Sequence, residues 1–388
     1  MRSKGQGKGG FEINMRQRTA LRLLWRAGRL SRSDLHEKTG VNPNAIGTDI
    51  IGLLKEEIVR ECQPSPDRRG RPRVPLEIDA GRRQVLGLAM SGPHVEVARL
   101  NLRGDLIGKV VGIDAADPEQ AVAEGRKILA SMLTDRVLGV GLSTTGFINQ
   151  EVHSFRSTLP GRPEISLQPL YEEIGGAIPI TLENNMHALA ARWMLTHEAE
   201  SDEDVLLVGL DDGQLGAAIL VEGRPNKGSE SGSNELGHTR FFVETETCYC
   251  GHSGCIERIF STPYVQRFGG AGTLYERAAL MDPADAGLMS ALDHLGMSIS
   301  NAVNFLRPHR LVVTSELGRY PAFTDYLKTL VQRRLLTELA QHLRIDFWHQ
   351  PTTRSAETAG WLALATIYRE GWTRPTGGPL PRTALAGA

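Results

Sequence analysis

The 388-residue sequence predicts an α/β protein in which an N-terminal winged helix-turn-helix, over residues 1–80, precedes a larger two-lobed α/β domain over residues 81–372. Three observations predict this fold. Capped short helices joined by a glycine turn lie near the start of the chain, a similar strand hairpin occurs twice further on, and the net charge differs between the two parts. A chain of this length can form two or three domains. Residues 373–388, rich in Pro, Gly and Ala, are expected to form a disordered tail.

The charge distribution favours a polyanionic partner for the N-terminal part alone. Residues 1–75 contain 16 Lys and Arg against 8 Asp and Glu, a net charge of +8, whereas the remainder contains 28 against 37. A basic segment of this kind attracts nucleic acid. No stretch of the sequence is long and apolar enough to cross a membrane, and Met1–Gly10 lacks the apolar core of a secretion signal. We therefore expect a cytoplasmic protein that does not bind membranes.

The first two helices are predicted from apolar spacing and capping residues. Apolar residues recur at helical spacing over Ile13–Trp25, which predicts a scaffold helix. In the next helix Ser31 can serve as the N-cap with Asp34 in the capping-box position. Gly40 then supplies the sharp turn that ends this helix.

The third helix has the pattern of a DNA-recognition helix. Asn42 is a good N-cap, Pro43 suits the first helical position, and the apolar stripe that seats the helix consists of Ile46, Ile50, Leu53 and Leu54. A glycine turn before a helix with an exposed polar N-terminal end places that end in the major groove. The residues predicted to contact DNA there are Asn42, Asn44, Gly47 and Thr48. The alternative is a three-helix bundle without DNA-binding function.

A β-hairpin wing is predicted after the third helix. Residues 57–61 and 74–78 alternate as strands do, and an arginine-rich Gly-Arg-Pro segment lies between them. Arginines on such a slim, extended tip can enter the minor groove, where the negative potential is enhanced. The predicted contacts are Arg68, Arg69 and Arg71. The alternative, a solvated charged loop, is less favoured beside a recognition helix.

The larger part is predicted to contain two related lobes. Its opening pattern comprises strands over Val85–Leu88, His94–Leu100 and Leu106–Val111, a helix over Pro118–Met132 and a strand over Val137–Leu142. A comparable hairpin recurs over Val205–Leu210 and Gln214–Val221. This opening resembles the lobe of actin and hexokinase, and the repeat is expected of a fold built from two such lobes. Ligands of such folds lie in the cleft between the lobes.

Three of the four cysteines lie within eight residues and follow a histidine. The group consists of His238, Cys248, Cys250 and Cys255. In a reducing compartment, clustered cysteines indicate a metal rather than disulfides. Three thiolates and one imidazole suit a closed tetrahedral site, which predicts a structural Zn²⁺; a cysteine cluster without metal is the alternative. Cys62 stands alone and is expected to be inert.

The segments around this cluster resemble the signature of the ROK family of sugar kinases and repressors. These segments are Asn234-Glu-Leu-Gly-His238 and the run from Cys248 to Glu257. Further segments occur in the order of the family's regulator branch: Ser31-Arg-Ser-Asp-Leu, Gly70-Arg-Pro72, Leu159-Pro-Gly161 and Glu183-Asn-Asn185. The resemblance implies an actin/hexokinase-like (ribonuclease H-like) fold and a sugar-binding set of Asn184, Asn185, Glu235, His238 and Glu257, in which His238 serves zinc as well as sugar. Carboxylates and an imidazole suit sugar hydroxyls, which both donate and accept hydrogen bonds.

The same resemblance argues against catalysis. In the family's kinases an Asp at the position of Asn185 accepts the proton of the attacking hydroxyl, and an amide cannot do so. Ala89 stands where the first phosphate loop is expected to carry an acidic residue, and Asp211 and Asp212 place negative charge in the second loop. Glu316 adds another charge on the nucleotide side. We therefore expect no enzymatic activity and no catalytic residue.

Together these patterns predict a DNA-binding transcriptional regulator, acting as a repressor of carbohydrate-related genes and controlled by a sugar or sugar derivative. It would bind a double-stranded operator as a homodimer or homotetramer. Two alternatives stay open, a ROK sugar kinase with an accessory DNA-binding domain and a regulator controlled by a protein partner. Thr158 and Arg162 depart from the family pattern. If Arg162 pointed into the cleft it would favour an acidic or phosphorylated sugar, and the alternative is a solvent-facing side chain.

Overall fold

The computed structural model describes residues 13–63, 73–158, 161–174, 178–197, 202–227, 234–349 and 355–369. The elements of the N-terminal part are α1 (Met15–Ala27), β1 (Leu30–Ser31), α2 (Arg32–Thr39), α3 (Pro43–Lys55), β2 (Val59–Glu61) and β3 (Pro75–Ile78). The three strands form an antiparallel sheet in the order β1-β3-β2, so the predicted hairpin pairing is confirmed for the described residues. Strand β2 starts two residues later than predicted because Glu57 has a positive φ of 56°.

The predicted caps of the N-terminal helices are confirmed. The Ser31 hydroxyl accepts a hydrogen bond from the Asp34 amide at 3.2 Å, and the Asp34 carboxylate accepts one from the Ser31 amide at 2.8 Å. Gly40 ends α2 in the left-handed conformation, and Asn42 caps α3. Helix α1 begins at Met15 rather than Ile13 because Asn14 caps it.

A buried carboxylate joins α1 to α3. Asp49 is 3% exposed and accepts a hydrogen bond from Arg16 Nε at 2.8 Å. The predicted apolar stripe of α3 buries Ile46, Ile50 and Leu53 against the same core. The polar face of α3 is thereby left on the outside.

The first lobe is a five-stranded sheet with helices on both faces. Its elements are β4 (Gln84–Ser91), β5 (His94–Asn101), β6 (Val111–Asp114), α4 (Pro118–Met132), β7 (Val137–Thr144), β8 (Phe147–Asn149), β9 (Ser154–Arg156), β10 (Glu164–Ser166), α5 (Gln168–Ile174), β11 (Ile180–Asn184) and α6 (Asn185–Thr196). The strand order is β11-β7-β4-β5-β6, and β8 to β10 form a separate small sheet. The strand predicted over Leu106–Val111 is wrong. Leu106 forms a single bridge to Leu100, Gly108 turns the chain at φ 80°, and β6 begins only at Val111.

The second lobe repeats the strand order of the first. Its elements are β12 (Val205–Asp211), β13 (Gln214–Val221), β14 (Arg224–Pro225), α7 (Ile256–Ile259), α8 (Thr262–Gln266), α9 (Leu274–Leu280), α10 (Ala286–Leu306), β15 (Arg310–Thr314), α11 (Pro321–Gln332), α12 (Thr337–His342), β16 (Arg344–Trp348) and α13 (Ala356–Tyr368), the last packing on the first sheet. The order β16-β15-β12-β13-β14 again joins an antiparallel hairpin to two parallel strands, which confirms the predicted repeat. Among the described helices, none combines the length and the apolar character that a membrane crossing needs.

Glycines allow α13 to lie directly on the first sheet. A Cβ atom at Gly87 would come within 2.0 Å of the Ala356 carbonyl oxygen, and one at Gly141 within 1.9 Å of the Ala359 carbonyl oxygen. Helix α13 also packs along α6. A larger residue at either glycine would therefore push α13 away from the sheet.

Helix α13 also contacts the N-terminal part. The Trp25 ring of α1 lies edge-on to Trp361 at 5.9 Å and to Tyr368 at 4.9 Å between ring centroids. Arg18 of α1 donates to backbone carbonyls at the end of α13. The N-terminal part and the first lobe therefore share one hydrophobic core.

Candidate functional site

A cleft that is open to solvent lies between the two lobes. The start of α6 lines it on the side of the first lobe, and the β12–β13 turn and parts of residues 235–257 line it on the other side. Four of the five residues predicted to bind a sugar line this one cleft: Asn184, Asn185, Glu235 and Glu257. The fifth, His238, contacts two of them from outside the lining.

The junction of β11 and α6 places both asparagines at the cleft. Asn184 caps α6 by accepting from the Met186 amide at 2.9 Å, and its side-chain amide donates to the Gly146 carbonyl at 3.0 Å. It is 1% exposed, so its polar atoms already have protein partners. Asn185 is half-buried, lines the cleft and has no side-chain hydrogen bond to the described residues. Its amide is therefore free to bind a ligand from the floor of the cleft.

Two carboxylates converge on His238. Its Nε2 lies 3.7 Å from Glu235 Oε2 and 3.6 Å from Glu257 Oε2. The Tyr249 hydroxyl donates to the same oxygen of Glu257 at 2.6 Å. This wall of the cleft therefore offers both acceptors and donors, as recognition of a polyhydroxylated molecule requires.

The other ring nitrogen of His238 faces the cysteines. Nδ1 lies 3.7 Å from Cys248 Sγ, and Cys250 Sγ lies 3.7 Å from Cys255 Sγ. All four possible ligand atoms lie within 4.8 Å of one another. Ligands of a tetrahedral zinc ion, at about 2.0–2.3 Å from the metal, are about 3.3–3.8 Å apart, so the residues fit this ion. Burial raises the pKa of the Cys248 and Cys255 thiols, and a bound Zn²⁺ would supply the charge that holds them as thiolates.

Tight turns hold the cysteine segment in place. Gly254 has a φ of 77°, and a Cβ atom there would lie 2.3 Å from the Phe241 carbonyl oxygen. The Cys248 amide donates to the His252 carbonyl at 2.7 Å, which closes the loop between the cysteines. The segment therefore keeps Tyr249 against the cleft through its backbone geometry.

The β12–β13 turn presents one carboxylate to the cleft. Asp211 lines the cleft and accepts a hydrogen bond from the Tyr275 hydroxyl. Burial and the Asp211 charge raise the pKa of Tyr275, which keeps this hydroxyl protonated. Asp212 instead accepts from the Thr262 amide at 2.6 Å, at the start of α8. Of the two aspartates predicted to repel phosphate, Asp211 alone lines this cleft.

The remaining residues of the predicted phosphate side do not line this cleft. Ala89 is buried in a small apolar cluster beneath α13. Glu316 is half-buried and pairs with Arg319 at 3.0 Å. Arg162 is exposed and is not among the residues that line the cleft, so the idea that it points inward is wrong.

A buried ionic cluster lies directly behind Asn184, and sequence patterns did not indicate it. Glu183 is fully buried, pairs with Lys227, and lies 3.1 Å from His187 Nδ1. Burial opposes ionisation, but the His187 contact and the Lys227 charge together lower the pKa of Glu183. Nε2 of His187 is buried and has no hydrogen-bond partner among the described residues. No periodicity pairs residues 183 and 227, which is why only the fold shows this cluster.

The exposed face of α3 carries the residues predicted to contact DNA. Asn42, Asn44 and Thr48 are exposed, and Gly47 is half-buried between them. Ile51, one turn further along the same face, is 63% exposed and was missed by the sequence analysis, although its helical spacing from Thr48 would have indicated it. The predicted wing contacts Arg68, Arg69 and Arg71 lie outside the described residues.

A search of protein-family models matches the description "ROK family" to residues 116–366 of the chain. The DNA-binding transcriptional repressor Mlc of Escherichia coli strain K12 is 21% identical over 364 residues, a match that covers 84% of this chain and 87% of that protein. A glucokinase of Halalkalibacterium halodurans is 23% identical over 268 residues and covers 60% of this chain and 79% of its own length.

A solved structure shows a similar fold along most of the chain. The crystal structure of a ROK family transcriptional regulator, a homologue of the E. coli Mlc protein, superposes with a TM-score of 0.70 at 20% identity. The match covers 91% of this chain and 98% of that chain. The likeness therefore extends over both the N-terminal part and the two lobes.

Proposed function

The chain belongs to the ROK family, and from this premise we propose that it is a transcriptional repressor that binds DNA through α3 and answers to a carbohydrate bound between its lobes. One observation carries the proposal. A single chain joins a capped helix-turn-helix, whose polar face is exposed, to an interlobe cleft lined by hydrogen-bonding side chains. The match to a repressor over 84% of the chain, against 60% for a kinase, supports the same assignment.

The DNA-binding part of the proposal rests on the geometry of α2 and α3. The N-terminal residues of α3 would lie in the major groove, with Asn44 and Thr48 at base edges and Ile51 against an apolar methyl group. The basic segment with Arg68, Arg69 and Arg71 would contact the neighbouring backbone or minor groove. Two copies of the chain would then read two half-sites of a pseudo-palindromic operator, as a homodimer or homotetramer.

The effector-binding part rests on the wall formed by His238, Glu235 and Glu257. The carboxylates would accept hydrogen bonds from ligand hydroxyls, and Asn185 would donate and accept from the opposite lobe. Zinc held by His238 and the three cysteines would fix the imidazole and the segment that carries Tyr249. In this proposal zinc is structural, because the donor set leaves no open coordination position.

We also propose that the cleft does not catalyse phosphoryl transfer. The resemblance to the family's kinases implies a general base at the position of Asn185, and an amide takes up no proton at neutral pH. The resemblance to the family's kinases implies a phosphate-binding loop at the turn that carries Asp211, and the charge of this cleft-lining carboxylate would repel phosphate. Both features would lower the rate of phosphoryl transfer in this cleft.

The second candidate function, a sugar kinase, is favoured by the match to a glucokinase. A coupled assay with Mg-ATP and a panel of hexoses separates the two candidates. We expect no ATP-dependent turnover above background. Turnover that is lost in an Asn184→Ala variant would identify the chain as a kinase instead.

Selection from a random DNA pool tests the repressor assignment. We expect the purified chain to enrich related half-sites with two-fold symmetry and to bind them about 10³-fold or more tightly than unselected DNA at the same salt concentration. Enrichment of no sequence above background would contradict the proposal.

A further inference from the structure

Helix α3 carries a single acidic residue, Asp49, and the fold buries its side chain. Successive residues of a helix are about 100° apart around its axis, so Asp49 lies between the buried Leu53 and the half-buried Gly52. This position is at the margin of the buried face, next to the exposed face that carries Asn44 and Thr48. The carboxylate is therefore buried on one flank of α3.

The first turn of α1 covers this flank. Arg16 binds the Asp49 carboxylate through two donors, Nε at 2.8 Å from Oδ2 and Nη2 at 3.3 Å from Oδ1. The Asn14 side-chain amide donates to Oδ1 at 3.2 Å, and the Gln17 side-chain amide donates to the Asp49 carbonyl at 3.2 Å. A Cβ atom at Gly52 would lie 2.9 Å from Gln17 Nε2, so the glycine allows this close approach. The start of α1 is thereby fixed along the flank of α3.

The Arg16 guanidinium is accessible although the carboxylate that holds it is not. The Arg16 side chain is 54% exposed, against 4% for the Asp49 side chain. Its Nη1 has no hydrogen-bond partner among the described residues. A guanidinium that is already oriented by a carboxylate loses little conformational freedom when its remaining N–H groups bind an anion.

We infer that Arg16 binds a DNA phosphate beside the major groove, and that Asp49 is the positioning residue that orients Arg16 for this contact. This assignment rests on the proposed function, since it requires α3 to lie in the groove. Phosphates then flank α3, and the first helix of a helix-turn-helix crosses the DNA backbone. The same ion pair neutralises the one carboxylate of α3, which would otherwise repel the DNA. The contact fixes how α3 is placed in the groove and carries no sequence information.

The salt dependence of DNA binding tests the Arg16 contact. The full chain is titrated, over a series of salt concentrations, onto a labelled duplex with the selected half-sites and onto a duplex of random sequence. We expect Arg16→Gln to reduce the slope of log K against log salt concentration by about 0.9 for each chain bound, the value for one phosphate. Arg16→Lys should keep the parent slope because it keeps the charge. The matched control is Arg26→Gln, since Arg26 is exposed in the last turn of the same helix and should not affect the slope.

A combined substitution separates the contact from a change in net charge. The double variant Arg16→Gln with Asp49→Asn has the net charge of the parent and no uncompensated buried carboxylate, so it is the measurement to use if Arg16→Gln alone unfolds the N-terminal part. We expect its slope to be lower than that of the parent by about 0.9 for each chain bound. A slope equal to that of the parent in this variant overturns the inference.

A comparison of two backgrounds tests the role of Asp49. In the parent, Arg16→Gln should weaken binding by about fivefold or more, because it removes a phosphate contact and leaves the Asp49 charge beside the DNA. In a chain that already carries Asp49→Asn, the same substitution should weaken binding by about twofold or less, because the amide neither orients Arg16 nor repels phosphate. Equal losses in the two backgrounds would remove Asp49 from the positioning role.

The two duplexes distinguish failure of this contact from failure of the proposed function. A parent that binds both duplexes equally tightly would contradict the proposed function, while the slopes on the random duplex would still decide the Arg16 contact because phosphate contacts do not depend on base sequence. A parent that binds neither duplex would contradict both.

Discussion

His238 presents its two ring nitrogens to two different groups. Nδ1 faces the cysteines, and Nε2 faces the carboxylates of Glu235 and Glu257. Metal ligation at Nδ1 would fix the tautomer, so that Nε2 would carry the proton and would donate it towards the cleft. Zinc binding and ligand binding are coupled at this one residue in the proposed mechanism.

Removal of one cysteine tests the metal site. We expect the parent to bind one zinc ion per chain and the Cys255→Ser variant to bind none. The variant should also have a Tm lower by about 5 °C or more, because binding of a structural zinc contributes to the free energy of folding. Metal content by atomic emission and thermal unfolding measure both effects. Cys62→Ser is the matched control, since Cys62 lies outside the cluster. Full zinc occupancy in Cys255→Ser would show that the cluster is not the metal site.

Glu77 gives the N-terminal part a defined pH dependence. The hydrogen bond from Arg29, with help from Arg60, lowers the pKa of Glu77 to about 2. Because the folded pKa lies below the unfolded one, the carboxylate stabilises the fold above pH ~4.5, and this contribution is lost as the pH falls from ~4.5 to ~2. We expect the free energy of unfolding of Glu77→Gln to fall less between pH 5 and pH 3 than that of the parent. Unfolding in urea at each pH measures this free energy. The same loss in the variant and the parent would contradict this assignment.

Among the elements, those determined by local chemistry were predictable from sequence. The caps at Ser31 and Asn42 and the hairpin of β12 and β13 depend on neighbouring residues, and the structure confirms them. The convergence of His238 with the cysteines followed from spacing and metal chemistry. Contacts between distant segments were not predictable. The pairing of Glu183 with Lys227 and the outward position of Arg162 depend on how the lobes pack.

Helix α3 makes a prediction at the scale of an element. Thr48→Ala should weaken binding to the selected DNA sequence by about fivefold or more, because it removes a polar group from the face that would meet base edges. Thr19→Ala on α1 is the matched control. Both threonines are exposed, and both donate to the carbonyl four residues earlier at 3.1 Å. Equal affinities for the two variants, measured by fluorescence anisotropy, would place α3 outside the DNA interface.

Across the whole molecule, a continuous set of contacts leads from the cleft to the helix-turn-helix. Helix α6 begins at Asn185 in the cleft and packs along α13, whose Trp361 and Tyr368 contact Trp25 of α1. Arg103 of the first lobe holds the end of α1 by donating to the Trp25 carbonyl at 2.8 Å. A ligand that shifts α6 would therefore move α13 and, through it, α1.

Arg103 tests this route. We expect Arg103→Ala to leave the DNA affinity of the ligand-free protein within about threefold of the parent. We also expect it to reduce the effect of the ligand on that affinity by at least about threefold, because allosteric coupling between two sites typically changes an affinity by about 5- to 150-fold. The control is Arg136→Ala, since Arg136 is exposed on the same lobe and forms no ion pair among the described residues. A ligand effect of unchanged size in Arg103→Ala would exclude this contact from the coupling.

The most direct test of the central claim is a titration of the selected DNA with the full chain. It is done with and without a neutral sugar that binds the cleft, and a parallel series also contains Mg-ATP. We expect the sugar to change the DNA affinity by at least about fivefold, and ATP to add no further change and to leave the sugar unmodified. An affinity that is the same with and without bound sugar, or conversion of the sugar to its phosphate, would contradict the account of a catalytically silent, sugar-responsive repressor.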